Sequence, residues 1–357
     1  MNASLFSRKI VEWYEQHHRN LPWRKTRDPY KIWLSEIILQ QTRVAQGLPY
    51  YRAFVRKYPK LSLLASAPEQ EILRLWQGLG YYSRARNLHT CAKQVHRDFK
   101  GKFPVSFNEL RKLKGVGDYT ASAIASIAFN ERVAVVDGNV YRVLARVFGI
   151  HADIASIAGK RKFTELANQL LPPHAPGTYN QAVMEFGALH CTPRNPNCED
   201  CPLQRHCVAF RKDLQLILPV KIRKAKVTQR ILYYVVIRSG QRWLMRQRTG
   251  KDIWSGLYDF PVIEAKTKLK LESIMRELKA SGLKVQNHTV PDVIEVPKHI
   301  LSHQVIHARF VEVSVPPQWK IPRTLFFVGA KFYSASQVSQ LPKSVLISRY
   351  LKRHGVG

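Results

Sequence analysis

Four of the five cysteines crowd into one loop: Cys191, Cys198, Cys201 and Cys207, spaced C-x6-C-x2-C-x5-C within 17 residues. Close-set thiolates in a long chain with a sizeable apolar fraction suit a soft metal, because disulfide frameworks belong to small secreted domains with little core of their own. The spacing departs from the paired C-x2-C knuckles of zinc ribbons, and Pro193, Pro196 and Pro202 stiffen the loop. These residues admit a structural zinc or an iron–sulfur cluster and do not choose between them. Cys91 stands apart and reads as a buried, inert thiol. A second candidate is Leu113-Lys114-Gly115-Val116-Gly117-Asp118-Tyr119-Thr120. Glycines two apart allow positive φ and close backbone approach, and a following helix would offer free N–H groups and its positive end to a phosphate. Taken alone, the same pattern also describes an ordinary glycine corner between two helices.

The charge balance names a partner for such a site. Among 357 residues, 57 Lys and Arg face 25 Asp and Glu, a formal net charge of +32. The residues before Val220 carry net +15 and the rest net +17, so the excess belongs to both halves and not to a tail. Nucleic acid is the first polyanion to consider, ahead of a basic protein that binds nothing and of an anionic membrane surface, for which no helix pairs a strong apolar face with a Lys-rich one. Hydrophobic residues at 45% exclude wholesale disorder, and no apolar run approaches the ~18 residues of a membrane span. The start, Met1 to Lys9, moves straight into helical periodicity without a signal-type apolar region. The expected location is the cytoplasm of a prokaryote-like cell, alongside its nucleoid.

The elements that must position these residues fall into two groups. Residues 1–210 read as helix after helix: an amphipathic stretch at Ile32, Leu34, Ile37, Ile38 and Leu39, another at Ile72, Leu73, Leu75 and Trp76, then Thr120 to Phe129 and Val140 to Phe148. The cysteine loop closes this half. Residues 211–228, containing Leu218-Pro219-Val220-Lys221-Ile222-Arg223-Lys224-Ala225-Lys226, read as a basic linker. Over 229–357 the period changes: Ile231 to Ile237 and Phe310 to Val315 are strands by composition, and Arg276 to Ala280 lies in a helix. The expected architecture is multi-domain, an all-α domain followed by a smaller α+β one.

Several of these segments resemble a known superfamily. Leu-x-Gly-Val-Gly at 113–117 is similar to the hairpin of helix-hairpin-helix base-excision DNA glycosylases, and Val136-Asp137-Gly138-Asn139-Val140 resembles their catalytic aspartate segment. The cysteine spacing resembles their iron–sulfur loop, which implies one [4Fe–4S] cluster and not zinc. The resemblance also implies that Lys114, Gly115, Val116 and Gly117 bind DNA phosphate. Within the superfamily, lyases carry a lysine directly after the hairpin where this chain has Tyr119, so no Schiff-base nucleophile is evident. Leu21-Pro22-Trp23-Arg24, the run Trp33 to Val44, Leu79-Gly80-Tyr81-Tyr82 and Asn180 to Leu189 resemble blocks of the adenine DNA glycosylases, the MutY family. The likeness covers the first 210 residues. Beyond them, Trp254 to Pro261 is similar to the strand–turn of MutT-like (Nudix-type) domains, but the helix at Leu271–Gly282 keeps Arg-Glu-Leu without the paired glutamates that would hold magnesium.

What the resemblance implies is a monomeric, monofunctional enzyme that flips adenine out of double-stranded DNA containing A:8-oxoguanine or A:G mispairs and hydrolyses its glycosidic bond. Departure of adenine needs a proton donor to the base and a negative charge beside the developing oxocarbenium ion. Glu36, inside the apolar run Ile32 to Leu39, suits the acid; Asp137, at a helix start with Asn139 beside it, suits the ionised partner, with Tyr119 orienting it. Outside the resemblance, Glu36 would read as a surface residue and Asp137 as a plain N-cap. Arg19, Trp23, Arg24 and Glu185 are expected to line the adenine pocket, and Gln41, Thr42, Leu79 and Tyr81 to fill the gap and stack beside the lesion. The MutT-like domain is expected to recognise 8-oxoguanine through Ser302 and His303; the family usually has Phe where this chain has Leu301. Two other functions fit parts of the pattern: a thymine or uracil mismatch glycosylase, and a catalytically silent damage-binding module.

Overall fold

The computed structural model describes residues 1–222, 227–283, 292–301 and 303–356. They form two compact units, Met1–Ser66 with Asn87–Lys224, and Ala67–Arg86 with Ala225–Gly357.

The first unit is helical. Its largest cluster gathers Phe6, Ile10 and Trp13 from helix Ala3–His17, Val143, Leu144 and Val147 from helix Gly138–Phe148, Phe163, and Tyr179, Val183 and Phe186 from helix Pro176–Leu189. Val140, Val143, Leu144 and Val147 recur at helical spacing and bury one stripe. Asp137 caps that helix at its start, and Gly149 ends it at φ +66°, where an added Cβ would lie 2.6 Å from Val208. Helix Pro29–Leu39 departs from the amphipathic reading. Tyr30, Ile32, Trp33, Leu34, Ser35, Glu36, Ile37 and Ile38 are all buried, so it is enclosed on every side. Helix Asp118–Phe129 likewise buries Thr120 through Ser126.

The second unit is built on a mixed sheet. Its strands are β1 (Thr228–Ser239), β2 (Arg242–Gln247), β3 (Tyr258–Asp259), β4 (Val262–Ala265), β5 (Val293–Glu295), β6 (His299–Ile300), β7 (Gln304–Ser314) and β8 (Lys331–Tyr333). They run in the order β3-β2-β1-β7-β5, with β4 on β1, β6 on β7 and β8 on β2. β1 and β7 are parallel and in register from Thr228 opposite Gln304 to Arg238 opposite Ser314. The apolar run Leu232–Ile237 is buried on both faces, as a central strand requires. Tyr233, Val235 and Ile237 share a core with Ile274 and Leu278 of helix Leu271–Ala280. On the alternate face, Tyr234 stacks on Phe310, and Phe310 on Tyr350 of helix Val345–Arg353 at 3.9 Å between ring centroids.

The expected limits shift in two places. The stretch 67–86 belongs with the sheet: Tyr82 Oη donates to the Lys343 carbonyl (3.0 Å) and Arg86 Nη1 to that of Ser255 (2.7 Å). The expected linker 211–228 is largely structured. Leu218 is buried in the helical core, Ile154 N–H donates to the Val220 carbonyl (3.1 Å), and Thr228 already pairs in β1. Pro219 and the lysines gave the segment a linker's composition, but its apolar residues decide its place.

Candidate active site and cysteine loop

Because helix Pro29–Leu39 is enclosed, its only acidic side chain is carried inward. Glu36 lines a cavity of about 560 Å³ in the helical unit together with Tyr119, Asp137, Asn139, Arg24 and Glu185. Burial pushes its carboxyl up to about 7; the hydrogen bond from Tyr119 pulls the other way and the nearby charge of Asp137 adds to the rise. Tyr119 Oη donates to Glu36 Oε2 at 2.6 Å, so the residue expected to orient Asp137 bonds the other carboxylate. Helices Pro29–Leu39 and Asp118–Phe129 pack together and bring the two side chains into contact, and local spacing carries no trace of it.

Asp137 has different company. Its Oδ1 accepts the backbone N–H groups of Asn139 and Val140, both at 2.8 Å, and its Oδ2 accepts Asn139 Nδ2 at 2.8 Å. Burial raises its pKa, while these three donors and the Arg142 guanidinium oppose the rise by favouring the ionised form. The cavity thus pairs a proton-holding carboxyl with one braced as an anion at a helix N-terminus.

Glu185 is buried and clasped by two arginines. Arg19 gives its backbone N–H (3.0 Å), Nε (2.8 Å) and Nη2 (2.6 Å); Arg24 gives Nη1 (2.7 Å) and Nη2 (2.6 Å). Burial alone would raise its pKa, but these donors prevail and hold the carboxyl down at about 2. It is a fixed anion that anchors Arg19 and Arg24 in the cavity wall. Trp23 also lines the cavity while packing edge-on against Tyr51. Thr42 is in the wall; Gln41, at φ +55°, is not. Leu79 and Tyr81 lie in the other unit.

The hairpin between helix Phe107–Leu110 and helix Asp118–Phe129 uses its glycines differently. Gly115 has φ +77° and would place a Cβ 2.8 Å from Asn87 Cβ, so both conformation and space demand glycine. Gly117 is the N-cap of the second helix and gives it no side-chain cap. The backbone N–H groups of Lys114 and Val116, expected at phosphate, are engaged inside the protein with Gln94 Oε1 and the Leu113 carbonyl. Among the described residues, those of Gly115 and Gly117 make no such bond.

In the cysteine loop the four thiols are half-buried, and Cys191, Cys201 and Cys207 pack against the helical core. Among the described residues no three metal-ligand side chains are drawn together as a metal set, so the fit rests on donor chemistry. Burial pushes the Cys201 thiol up to about 12 against the backbone hydrogen bond of Leu203, and the charges of Cys191, Cys207 and Cys198 add to the rise. Such a set suits a soft metal that displaces the thiol protons. Two buried arginines of helix Gly138–Phe148, missed in the sequence reading, hold this loop. Arg142 donates through Nε to the Cys191 carbonyl (2.7 Å) and through Nη2 to the Gly187 carbonyl (2.6 Å) and Asn139 Oδ1 (2.8 Å). Arg146 Nη1 reaches Cys191 Sγ (3.4 Å) and the Thr192 carbonyl (2.7 Å). Their signal was present: two basic residues one turn apart, flanked by the apolar stripe.

In the second unit, β6 and β7 form a hairpin, with Leu301 N–H donating to the Gln304 carbonyl (2.8 Å). The His303 carbonyl at its tip accepts Thr228 N–H (3.0 Å) and Oγ1 (3.2 Å). Ser302 lies outside the described residues.

Comparison with known proteins agrees with this geometry. Residues 34–173 match the HhH-GPD superfamily of base excision DNA repair proteins, 191–207 the iron-sulfur binding domain of endonuclease III, and 232–353 the NUDIX domain. Helical fold, hairpin and cysteine loop therefore define a base-excision DNA glycosylase with a Nudix-like second domain and a [4Fe–4S] cluster whose binding segment is residues 191–207. An adenine DNA glycosylase of Buchnera aphidicola subsp. Schizaphis graminum (strain Sg) is 38% identical over 269 residues, 75% of this chain and 78% of its own. Another, of Buchnera aphidicola subsp. Acyrthosiphon pisum (strain APS), is 32% identical over 317 residues and covers 88% of each. The chain belongs to the adenine DNA glycosylase family and is an N-glycosylase acting on DNA. A thermostable thymine-DNA glycosylase of known structure is 32% identical with a TM-score of 0.55, covering 59% of this chain and 97% of its own. Among the described residues no helix is long and apolar enough to cross a membrane.

Proposed function

We propose that the enzyme flips adenine out of A:8-oxoguanine and A:G mispairs and hydrolyses its glycosidic bond with no lyase step. Glu36, protonated near neutral pH, donates to adenine N7 so that the base leaves neutral. Asp137 stays ionised beside C1′ and stabilises the oxocarbenium ion, held by Asn139. Tyr119 steadies Glu36 and stands where a Schiff-base lysine would be needed. Arg19, Trp23, Arg24 and Thr42 line the adenine pocket, with Glu185 holding the arginines. Gln41 and Tyr81 fill and stack in the opened duplex, with Leu79 buried in the protein and not in the duplex as first expected, and Ser302 and His303 read the lesion. Phosphate binds at the Gly115 and Gly117 amides and the Lys114 ammonium. Residues 1–210 are the catalytic domain and 229–357 the lesion reader, working as a monomer in the cytoplasm. Cys191, Cys198, Cys201 and Cys207 would hold the cluster, which would tie together the loop that Arg142 and Arg146 grip. The reading is carried by one observation: two carboxylates in one cavity, one bonded by a single tyrosine hydroxyl and one braced by three N–H donors.

The likeness to a thymine-DNA glycosylase supplies the competing substrate. Single-turnover excision on A:8-oxoguanine, A:G and T:G duplexes, with borohydride added in parallel, decides between them. Adenine release fastest opposite 8-oxoguanine, with no trapped adduct, is expected. Thymine release at a comparable rate, or efficient trapping, would overturn the proposal.

A further inference from the structure

The loop Gly78–Tyr81 turns through three left-handed residues, Gly78 at φ +102°, Gly80 at +74° and Tyr81 at +48°. Glycine adopts such angles freely, but for tyrosine the conformation persists only where neighbours impose it. Side chains on either side of it hold the turn from within. Trp76 Nε1 donates to the Gly80 carbonyl at 3.0 Å and Arg84 Nη2 to the same oxygen at 3.3 Å. The Arg84 guanidinium lies over the rings of both Trp76 and Tyr81. As a result Leu79 and Tyr82 are buried while Tyr81 remains 42% exposed.

A second hold comes from far along the chain. Lys343 N–H donates to Gln77 Oε1 (3.0 Å), the carbonyl of the same residue accepts Tyr82 Oη (3.0 Å), and Gln77 Nε2 donates to Ser348 Oγ (3.2 Å). Gln77 immediately precedes the turn and Tyr82 immediately follows it, so one backbone residue grips both ends. That residue is itself rigidly seated. Its ammonium is buried against the Val338 and Leu341 carbonyls, and its backbone bridges to Tyr258, whose N–H bonds the Pro342 carbonyl (2.8 Å).

We infer that Gln77 and Tyr82 are positioning residues: clasping the Lys343 backbone, they hold Gly78–Tyr81 in the turn that presents the Tyr81 ring, so the C-terminal fold sets the geometry of the base-excising step. This rests on the stacking role proposed above for Tyr81. A contact serving stability alone would make the same bonds, and a double-mutant cycle separates the two.

The experiment uses the full chain and an A:8-oxoguanine duplex carrying 2-aminopurine next to the mispair, reading single-turnover adenine release, unstacking fluorescence and melting temperature. Tyr82→Phe should slow release roughly five-fold, the loss expected for one hydrogen bond, Gln77→Ala, which removes the bonds to Lys343 and Ser348, at least as much, and both should lower the fluorescence rise. Ser348→Ala, which leaves both Lys343 bonds, should fall between them and wild type. In a Tyr81→Ala background neither Gln77→Ala nor Tyr82→Phe should slow release further, because both act through that ring. Undiminished rates with Tyr81 present, or losses that simply add to that of Tyr81→Ala, would overturn the inference and leave the stacking role standing. An unchanged rate for Tyr81→Ala alone would overturn both.

Discussion

Glu36 and Asp137 carry the same functional group and differ in what touches it: one hydroxyl donor in an apolar wall against three N–H donors at a helix start. With its carboxyl pushed up to about 7, Glu36 holds a proton to donate only below that pH, so its proposed role as the acid predicts that excision declines as pH rises through about 7. The Tyr119 hydrogen bond lowers the Glu36 pKa, so Tyr119→Phe should move this limb to higher pH; a limb that stays put or moves down would contradict the bond's role. Stability follows the same sign. A carboxyl whose folded pKa lies above its ordinary 4.5 favours folding at low pH, and that contribution is lost as pH rises from about 4.5 through about 7. Glu36→Gln should therefore flatten the decline of melting temperature over that window. Glu36 was singled out only by the resemblance, since an acid on a helix with apolar neighbours reads by itself as a surface residue; its burial follows from the enclosure of the whole helix. The two arginines on Glu185 were expected in the same pocket, but their clasp, across 161 and 166 residues of chain, was not readable from spacing.

At the scale of elements, helix Gly138–Phe148 does more than its apolar stripe suggests. It begins at Asp137, carries Asn139 in its first turn, and extends Arg142 and Arg146 to the cysteine loop. Arg142→Met should leave Asn139, the buried Gly187 carbonyl and the part-buried Cys191 carbonyl without their donor, costing on the order of 3 kcal/mol in urea unfolding and slowing adenine release. Unchanged stability would show the contacts to be replaceable. In the hairpin, Gly115→Ala meets both positive φ and the Asn87 side chain, so a loss of about 1–3 kcal/mol and weaker duplex binding are expected, while the open space at Gly117 predicts a milder effect of Gly117→Ala. The hairpin and cysteine loop were legible because their function depends on short-range spacing. Which hairpin amides were spent on Gln94 and Leu113 was not, since that depends on packing against a distant helix.

At the scale of the whole molecule, composition anticipated an all-helical half and a sheet-containing half, because hydrophobic period changes from helical to alternating near β1. It missed that residues 67–86 join the sheet unit, since polar bonds from Gln77, Tyr82 and Arg86 to backbone more than 160 residues away carry no local signature. The net charge of +32, shared by both halves, makes a further prediction. If about 6–10 phosphates are neutralised, duplex affinity should fall roughly 10³–10⁵-fold between 50 and 200 mM salt, and a flat dependence would exclude that mode of binding. In the proposed mechanism charge supplies affinity, whereas removal of adenine depends on the two carboxylates. Single-turnover adenine release from an A:8-oxoguanine duplex by Glu36→Gln, measured beside its duplex affinity, tests that dependence most directly. Release should fall by about 10²–10⁴-fold with binding retained; release near the wild-type rate would contradict proton donation by Glu36.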